Sequence, residues 1–464
     1  MNRPVKKIHF LGICGTAMGA VAAMLKDQGY TVSGSDERVY PPMSDFLRER
    51  GIHLMAGYRE ENLAGARPDL VVVGNAVSRG NPELEAVLNQ RYYYLSLPET
   101  LRQFFLRDSH NLIVSGTHGK TTTTALLAWL LQDAGLRPSY LIGGLPLNFV
   151  QGCVHNPDGK HWVIEGDEYD TAFFDKRSKF LHYLPELVII NNIEFDHADI
   201  YRDLDEIKLT FQRLVDIVPQ NGMIVFNADN AAAVSVTRHS KAQLLEVGFN
   251  PNAAIRITNV SADARGSRFD LLGHRFLLPL HGNHNIHNAA MTVAAAHCYG
   301  LSHAQIAASM AKFKGVKRRQ ELRAELNGIA VIDDFGHHPT ALTETIAALR
   351  QRYPGRRLWA LFEPRSNTTR RAVFQHELPA ALARADGVFI TQIARADQLA
   401  EHDRLNVEQV VADLNRRHVP AHYAADADEI VAQLPPLLLP GDVVAVFSNG
   451  SFGGLIEKLI ARLK

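Results

Sequence analysis

The sequence predicts an α/β protein of three parallel-sheet units in series, the first and last Rossmann-like and the middle one built around a phosphate loop. Three observations predict this. Short apolar runs alternate with helical stretches along the chain, glycine-rich turns stand between a run and a helix at two places, and the alternation restarts twice. The length of 464 residues suits about three domains of ordinary size.

The first unit, residues 1–108, opens with a strand from Lys7 to Leu11, a glycine-rich turn and a helix from Ala17 to Gln28. A strand from Tyr30 to Ser33 runs into Gly34-Ser35-Asp36, another from Asp69 to Gly74 ends at Asn75-Ala76, and Leu101 to Arg107 reads as a short helix. The second unit, residues 109–314, restarts with a strand from Asn111 to Ser115, a second glycine-rich loop and a helix to about Gly135. Strands at His161 to Ile164 and Leu187 to Asn191, a helix from Leu204 to Val218 and an alanine-rich helix from Ile286 to Tyr299 follow. The third unit, residues 315–464, carries strands at Ile329 to Asp333, Leu358 to Phe362, Gly387 to Ile390 and Val443 to Phe447.

Composition narrows the function. Hydrophobic residues make up 46%, charged residues 21% and aromatics 8%, a globular mixture. With 49 Lys+Arg against 49 Asp+Glu the net charge is zero, so no global field favours nucleic acid or an anionic membrane. Any bound anion must be held by a local device. Cys14, Cys153 and Cys298 are too few and scattered for a disulfide framework, which suits a reducing compartment. Apolar runs such as Ala125 to Leu131 fall far short of the roughly 18 residues of a membrane span. Arg3, Lys6 and Lys7 before the stretch Ile8 to Leu25 imitate a secretory signal, but Gly12, Gly15, Thr16 and Gly19 interrupt it with phosphate-loop spacing. A cytoplasmic protein is expected.

The strongest motif is Ser115-Gly116-Thr117-His118-Gly119-Lys120-Thr121-Thr122, between a strand and a helix. Glycines let backbone N–H groups face phosphate, the helix N-terminus adds partial positive charge, Lys120 reaches the outer phosphates and Thr121 can ligate Mg²⁺. Val114 stands where the general P-loop has its first glycine, leaving the shorter G-T-x-G-K-T form. This unit is expected to bind a nucleoside triphosphate.

Glu165-Gly166-Asp167-Glu168-Tyr169-Asp170 follows an apolar strand, and Ile193-Glu194-Phe195-Asp196-His197 follows another. Either acidic stretch alone could be a solvated turn; two beside a phosphate loop point to a metal site, since Mg²⁺ on phosphates takes one or two carboxylates. Gly282-Asn283-His284-Asn285-Ile286-His287-Asn288 opens the alanine-rich helix, where amides could read a nucleobase or simply cap the helix. Gly12-Ile13-Cys14-Gly15-Thr16-Ala17-Met18-Gly19 is either a tight turn or a second phosphate cradle, one without Lys-Thr that would hold a diphosphate without hydrolysing it. Asp36, 24 residues after Gly12, can bind a ribose hydroxyl. Asp333-Asp334-Phe335-Gly336-His337-His338-Pro339-Thr340 and Glu363-Pro364-Arg365-Ser366-Asn367-Thr368-Thr369-Arg370 bring acids, imidazoles and arginines to two strand ends of the third unit.

Taken in order over nearly the whole chain, G-T-H-G-K-T-T, E-G-D-E-Y-D, N-I-E-F-D-H, G-N-H-N-I-H-N, G-V-K-R-R-Q-E and D-D-F-G-H-H-P-T resemble the Mur ligases, ATP-dependent peptide ligases of bacterial cell-wall synthesis. The resemblance implies a three-domain architecture: a domain for a UDP-linked substrate, a central ATPase domain and a C-terminal domain for the incoming amine. G-I-C-G-T-A-M-G, Thr171 to Phe180 and F-E-P-R-S-N-T-T-R look like the member that joins a recycled murein tripeptide to UDP-N-acetylmuramate. The alternatives are the member that adds L-alanine to the same nucleotide, and a nucleotide-sensing protein on an inactive ligase fold.

The implied reaction phosphorylates the lactyl carboxylate of UDP-N-acetylmuramate with ATP and Mg²⁺, after which the amine of L-alanyl-γ-D-glutamyl-meso-diaminopimelate attacks the acyl phosphate, leaving ADP and phosphate. By the resemblance, Lys120, Glu165 and His197 are catalytic, and Thr121, Glu165 and His197 hold metal. Gly116, Thr117, His118, Gly119, Lys120, Thr121 and Thr122, with Asn285, Asn288, Arg319 and Asp334, bind ATP. Gly12, Gly15, Thr16, Gly19 and Asp36 hold the UDP end, and His338, Arg365, Asn367 and Arg370 meet the peptide. Some family members use a carbamylated lysine after the His-bearing strand; Lys208, the nearby candidate, is left out of the site.

Overall fold

The computed structural model describes residues 4–464. Three main sheets form in chain order. The first has five parallel strands in the order His53–Ala56, Thr31–Asp36, Lys7–Leu11, Leu70–Val73 and Tyr94–Ser96. Leu70–Val73, one of its inner strands, is apolar on both faces and wholly buried, as a sheet covered by helices on each side requires. The glycine-rich turn after Lys7–Leu11 lies where strand order reverses, the usual place for a ligand on such a sheet.

The second sheet has eight strands in the order Ile255–Arg256, Gln243–Gly248, Met223–Asn227, Leu187–Ile190, His110–Ser115, His161–Gly166, Ser139–Leu141 and Cys153–Val154. All neighbours are parallel except the last pair. The strand that feeds the phosphate loop is therefore flanked by the two strands that end in acidic stretches. The third sheet has six strands in the order Glu321–Leu326, Ile329–Asp334, Val443–Phe447, Leu358–Phe362, Gly387–Thr391 and Ala421–Ala424, with Glu321–Leu326 antiparallel at its edge.

Most expected elements appear within two residues of their expected ends, as in the phosphate-loop helix Lys120–Asp133; the alanine-rich helix, Asn283–Cys298, begins three residues earlier than expected. The short helix expected at Leu101 to Arg107 differs. It begins earlier, as Leu97–Leu101, and continues as a π-helical turn over Arg102–Leu106. Ser96 and Glu99 form a capping box there, Ser96 Oγ accepting from the Glu99 N–H and Glu99 accepting from the Ser96 N–H, which starts the helix before the apolar stretch. Two antiparallel additions were not expected: a sheet of Thr258–Asp263, Gly266–Leu271 and His274–Leu278, and a hairpin of Asp170–Ala172 with Asp175–Ser178.

The cores explain how the sheets are joined. One apolar core runs without a break from the first sheet into the second, with Phe105 packing edge-on to Trp162 at 5.9 Å between ring centroids. The tip of the Asp170–Ser178 hairpin adds Phe174, which packs on Tyr94 of the first sheet at 5.0 Å. The two cores of the third sheet contain only residues from Leu326 onward. Polar contacts carry much of the meeting between the third sheet and the second. No helix among the described residues is long and apolar enough to cross a membrane.

Candidate active site

The phosphate loop is fixed by backbone geometry and by its neighbour strand. Gly116 and Gly119 lie at φ +133° and +81°, where L side chains are strained. A Cβ on Gly116 would also sit 2.9 Å from the Asn192 carbonyl, and one on Gly119 would sit 2.6 Å from Asn288 Oδ1. The Thr117 N–H donates to Asn192 O (3.0 Å), the His118 N–H to Asn192 Oδ1 (2.8 Å), and the Glu194 N–H to Thr117 Oγ1 (2.9 Å). The loop is held by the segment that also carries His197.

Lys120 donates to Gly116 O at 2.6 Å and to Glu168 Oε2 at 2.7 Å. Burial pushes its pKa down, but Glu168, Asp167 and Glu165 outweigh this and raise it, so it stays charged. Glu168 is 2% exposed, and its Oε1 lies 3.5 Å from His197 Nε2. Burial opposes its ionisation; Lys120 and His197 overcome that and lower its pKa. Its carbonyl accepts from the Ser178 and Tyr201 hydroxyls, which pins the backbone of this acidic stretch. Glu165 sits on the other side of the loop, accepting from Thr121 Oγ1 (2.9 Å) and from the Gly143 N–H (2.7 Å). Burial and the neighbouring Asp167 charge raise its pKa. Asp167 pairs with Lys179 at 3.0 Å.

The expected trio of Lys120, Glu165 and His197 is thus brought into one cavity, but the contacts run differently. His197 pairs with Glu168, and so does Lys120; Glu165 instead holds Thr121. Glu168 stands in the acidic motif yet was not among the expected site residues. Four acids in six residues carry no sign of which one faces the lysine. The donor set around Glu165 fits Mg²⁺: two half-buried carboxylates, one with a raised pKa, and a threonine hydroxyl are hard oxygen ligands suited to a cation.

The cavity encloses about 370 Å³ and is lined by Thr117 to Thr122, Glu165, Asp167, His197, Asn285, Asn288, Arg319, Asp334 and His338 among others. Arg319 crosses from the third unit: its Nη2 lies 3.5 Å from Thr121 Oγ1, and its guanidinium sits 5.0 Å from the Phe335 ring centroid. Asp334 accepts from the Gln320 and Gly336 N–H groups, both at 2.8 Å. Asn285 donates to His281 O at 2.8 Å. Gly12, Gly15, Thr16, Gly19 and Asp36 do not line this cavity. They form a second locus on the first sheet, where Asp36 Oδ2 accepts from the Cys14 N–H (2.9 Å), the Gly12 N–H donates to Ser35 O (2.9 Å) and Gly19 packs against Met43. Lys208 pairs with Asp205 at 2.9 Å on the helix Leu204–Asp216, away from the cavity lining.

The residues expected at the peptide are largely occupied by the protein itself. His338 caps the helix Pro339–Arg352; its Nδ1 accepts from the Thr340 N–H (3.2 Å) and its Nε2 faces Phe195 O (3.1 Å). Burial and the adjacent His118 lower its pKa to about 3, so it is neutral. His118, Glu194 and His338 bring ligand-capable atoms within 4.8 Å of one another, but with both His338 nitrogens in use this trio is a domain contact rather than a metal site. Asn367 donates to Asp199 (2.7 Å), Thr368 to Asp196 (2.6 Å), and Arg365 lies 3.4 Å from Glu363. Arg370, 5% exposed, bonds the 394–398 loop and Asn367.

Glu194 is the acid in this contact, accepting from Thr340 Oγ1 at 2.6 Å with His118 at 3.4 Å. Burial raises its pKa, but the His118 and Thr340 hydrogen bonds and the imidazole charges bring it down to about 2. A depressed carboxyl adds stability above its unfolded value near 4.5 that disappears as pH falls toward 2, roughly 3 kcal/mol in all. Glu194→Gln is expected to unfold more easily at pH 7 and to lose less on acidification. Thermal unfolding midpoints between pH 7 and 3 check this, and an unchanged acid slope would count against it.

Comparison with known proteins agrees with this architecture. Three family profiles match in order: Mur ligase family, catalytic domain, over residues 7–108; Mur ligase middle domain over 114–296; and Mur ligase, glutamate ligase domain, over 318–450. The chain belongs to the Mur ligase family, and its three sheets form the three-domain architecture of that family. Among the relatives, it is 43% identical to the UDP-N-acetylmuramate–L-alanyl-γ-D-glutamyl-meso-2,6-diaminoheptandioate ligase of Haemophilus influenzae, over 99% of this chain and 100% of that protein. It is 32% identical to the UDP-N-acetylmuramate–L-alanine ligase of Geotalea uraniireducens, over 100% of this chain and 99% of that protein. The crystal structure of a murein peptide ligase from Psychrobacter arcticus superposes with a TM-score of 0.71 at 34% identity, covering 98% of each chain.

Proposed function

We propose that this chain is an ATP-dependent amide ligase of peptidoglycan recycling, joining UDP-N-acetylmuramate to L-alanyl-γ-D-glutamyl-meso-diaminopimelate in the cytoplasm. The observation that carries this is the higher identity, over the full chain, to a tripeptide ligase than to an L-alanine ligase. An inactive nucleotide sensor fits poorly, because Lys120, Glu165, Glu168 and His197 are all present around one cavity.

A carboxylate is a poor electrophile until phosphorylated, and phosphoryl transfer is catalysed mainly by positioning and charge neutralisation. In this reading the amides of Gly116 to Thr122 cradle the ATP phosphates, and Lys120 neutralises charge on the outer ones. Arg319 reaches the same phosphates from the third domain, and Asn285 and Asn288 meet the adenine. Asp334 approaches the nucleotide from its buried position, 4% exposed. Thr121 and Glu165 would hold Mg²⁺, with His197 toward the acceptor carboxylate; the cation supplies further charge neutralisation on the transferring phosphoryl group. Glu168 positions Lys120 and His197 relative to each other. The Gly12 to Gly19 loop and Asp36 hold the UDP end. Residues 1–108, 109–314 and 315–464 divide the labour among nucleotide-sugar, ATP and peptide.

The test is phosphate release with ATP, Mg²⁺ and UDP-N-acetylmuramate, comparing the tripeptide with L-alanine. The expected preference, as kcat/KM, is at least a hundredfold for the tripeptide. A preference for L-alanine would overturn the proposal, and no amide product with either amine would leave the inactive sensor.

A further inference from the structure

A cluster of ligating side chains lies at the join between the first unit and the second, outside the lining of the phosphate-loop cavity. Glu99 comes from the helix Leu97–Leu101 of the first unit. Asp175 opens the second strand of the hairpin, and His182 ends the short turn Lys179–His182 that follows it. That turn packs against the helix, and Phe174, next to Asp175, packs on Tyr94 at the same join. One ligand-capable atom from each of Glu99, Asp175 and His182 lies within 4.8 Å of the others.

The hydrogen bonds of the cluster leave a nitrogen and an oxygen uncommitted. His182 is 2% exposed, and its Nε2 is buried with no hydrogen-bond partner. It lies 2.9 Å from Asp175 Oδ2, close enough for electrostatic attraction but misaligned for a hydrogen bond. Glu99 uses Oε2 alone for the Ser96 N–H and hydroxyl, at 2.9 and 2.8 Å, so Oε1 makes no hydrogen bond among the described residues. Asp175 is buried and gripped by Arg177: the Arg177 N–H and Nε donate to Oδ1 (3.0 and 2.9 Å), and Nη2 donates to Oδ2 (2.8 Å). A carboxylate oxygen has two lone pairs, so Oδ2 keeps one. The Arg177 side chain is exposed, where water screens its charge, and the two carboxylates leave the cluster net negative. Burial keeps the His182 imidazole below its usual pKa, the Asp175 charge offsetting this only in part, so the ring is neutral and able to ligate.

We propose that Glu99, Asp175 and His182 hold a divalent transition metal, Zn²⁺ by its ligand set, that ties the first unit to the second. One imidazole with two carboxylates is a mixed nitrogen and oxygen set, whereas Mg²⁺ and Ca²⁺ are bound through oxygen. Bonds of about 2.0–2.1 Å to a shared cation put neighbouring ligand atoms about 3 Å apart, which matches the 2.9 Å between His182 Nε2 and Asp175 Oδ2. Three protein ligands leave a fourth position for water. Arg177 and Ser96 are then the outer groups that orient the ligating carboxylates. The trio of His118, Glu194 and His338 differs, because both His338 nitrogens are in use. The hairpin is also the one whose Ser178 hydroxyl holds the Glu168 carbonyl, so the cation braces the backbone behind the partner of Lys120.

The test uses the full-length protein, stripped with chelator and kept in excess Mg²⁺ so that oxygen sites are filled. Zn²⁺ titrated calorimetrically into the wild type is expected to bind at this site with a Kd of about 1 μM or tighter and to raise the thermal midpoint. Glu99→Gln keeps an acceptor for the capping box, so the helix still starts at Ser96, but loses the carboxylate; its Zn²⁺ affinity is expected to fall about a hundredfold. His182→Gln is expected to abolish the rise in thermal midpoint on adding Zn²⁺, measured against the same variant without metal. Anomalous scattering at the zinc edge, from crystals grown with Zn²⁺, is expected to place the ion between the three side chains. Zn²⁺ found only at Glu165 or His118, or an affinity unchanged in Glu99→Gln, overturns the proposal. So does binding that needs millimolar Zn²⁺, which marks an adventitious ion only.

Discussion

Lys120→Ala is expected to lower turnover by roughly a thousandfold at saturating substrates, the upper end for loss of one charge-stabilising donor in a dry site. Lys120 is the cation of the loop and is held above its usual pKa by Glu168, Asp167 and Glu165, so nothing else on the loop can replace it. The same substitution has a second consequence. Glu168 would keep only His197, 3.5 Å away, as a charged partner in a buried position, and stranding one member of a buried pair costs about 3–5 kcal/mol. Stability and catalysis therefore need separating. Lys120→Ala/Glu168→Gln removes the stranded charge and is expected to regain most of the lost thermal midpoint without regaining turnover. Single-turnover formation of ADP reads the chemistry directly; a Lys120→Ala protein that keeps a tenth of wild-type turnover would sink the assignment of the loop.

Gly119→Ala is expected to weaken ATP binding by roughly a hundredfold, about 3 kcal/mol. Two costs combine. A left-handed alanine costs about 1–2 kcal/mol, and the new methyl would sit 2.6 Å from Asn288 Oδ1 and 2.8 Å from Asn191 Nδ2. Relief requires moving either the loop backbone or Asn288, both of which line the cavity. Gly135→Ala is the control. Gly135 has nearly the same φ, +83°, with nothing within 4 Å of an added Cβ, so it bears the backbone cost alone and is expected to bind ATP normally. Calorimetric titration of nucleotide into both variants decides. Equal affinities for Gly119→Ala and wild type would show that the close approach of loop and asparagines does not matter.

Much of the site is legible in the amino-acid sequence. A glycine-rich turn between an apolar strand and a helix is a local device, and its chemistry follows from residues adjacent in the chain; Gly116 to Thr121 and Gly12 to Gly19 fall at such junctions in the fold. The apolar runs also mark buried parallel strands, because both faces of such strands must be covered. The antiparallel sheet at residues 258–278 has no such mark, because its outer strand, Thr258–Asp263, is largely exposed and polar and carries no apolar run.

The order of strands is not legible in the same way. That Leu187–Ile190 and His161–Gly166 flank the phosphate-loop strand, bringing His197 and the acidic stretch to one lysine, is a long-range pairing that no short apolar run encodes. For the same reason the sequence could not choose Glu168 over Glu165 as the partner of Lys120. Nor could it show that His338, Asn367 and Arg370 would find partners within the protein. By itself the sequence determined the three α/β units, the two glycine-rich strand-to-helix turns and the pool of acids, imidazoles and arginines at strand ends, since each depends on neighbours in the chain. Which members of that pool meet, and which are left free to meet a ligand, was decided by tertiary structure, because hydrogen bonds and desolvation act on distances that only strand order and domain packing set.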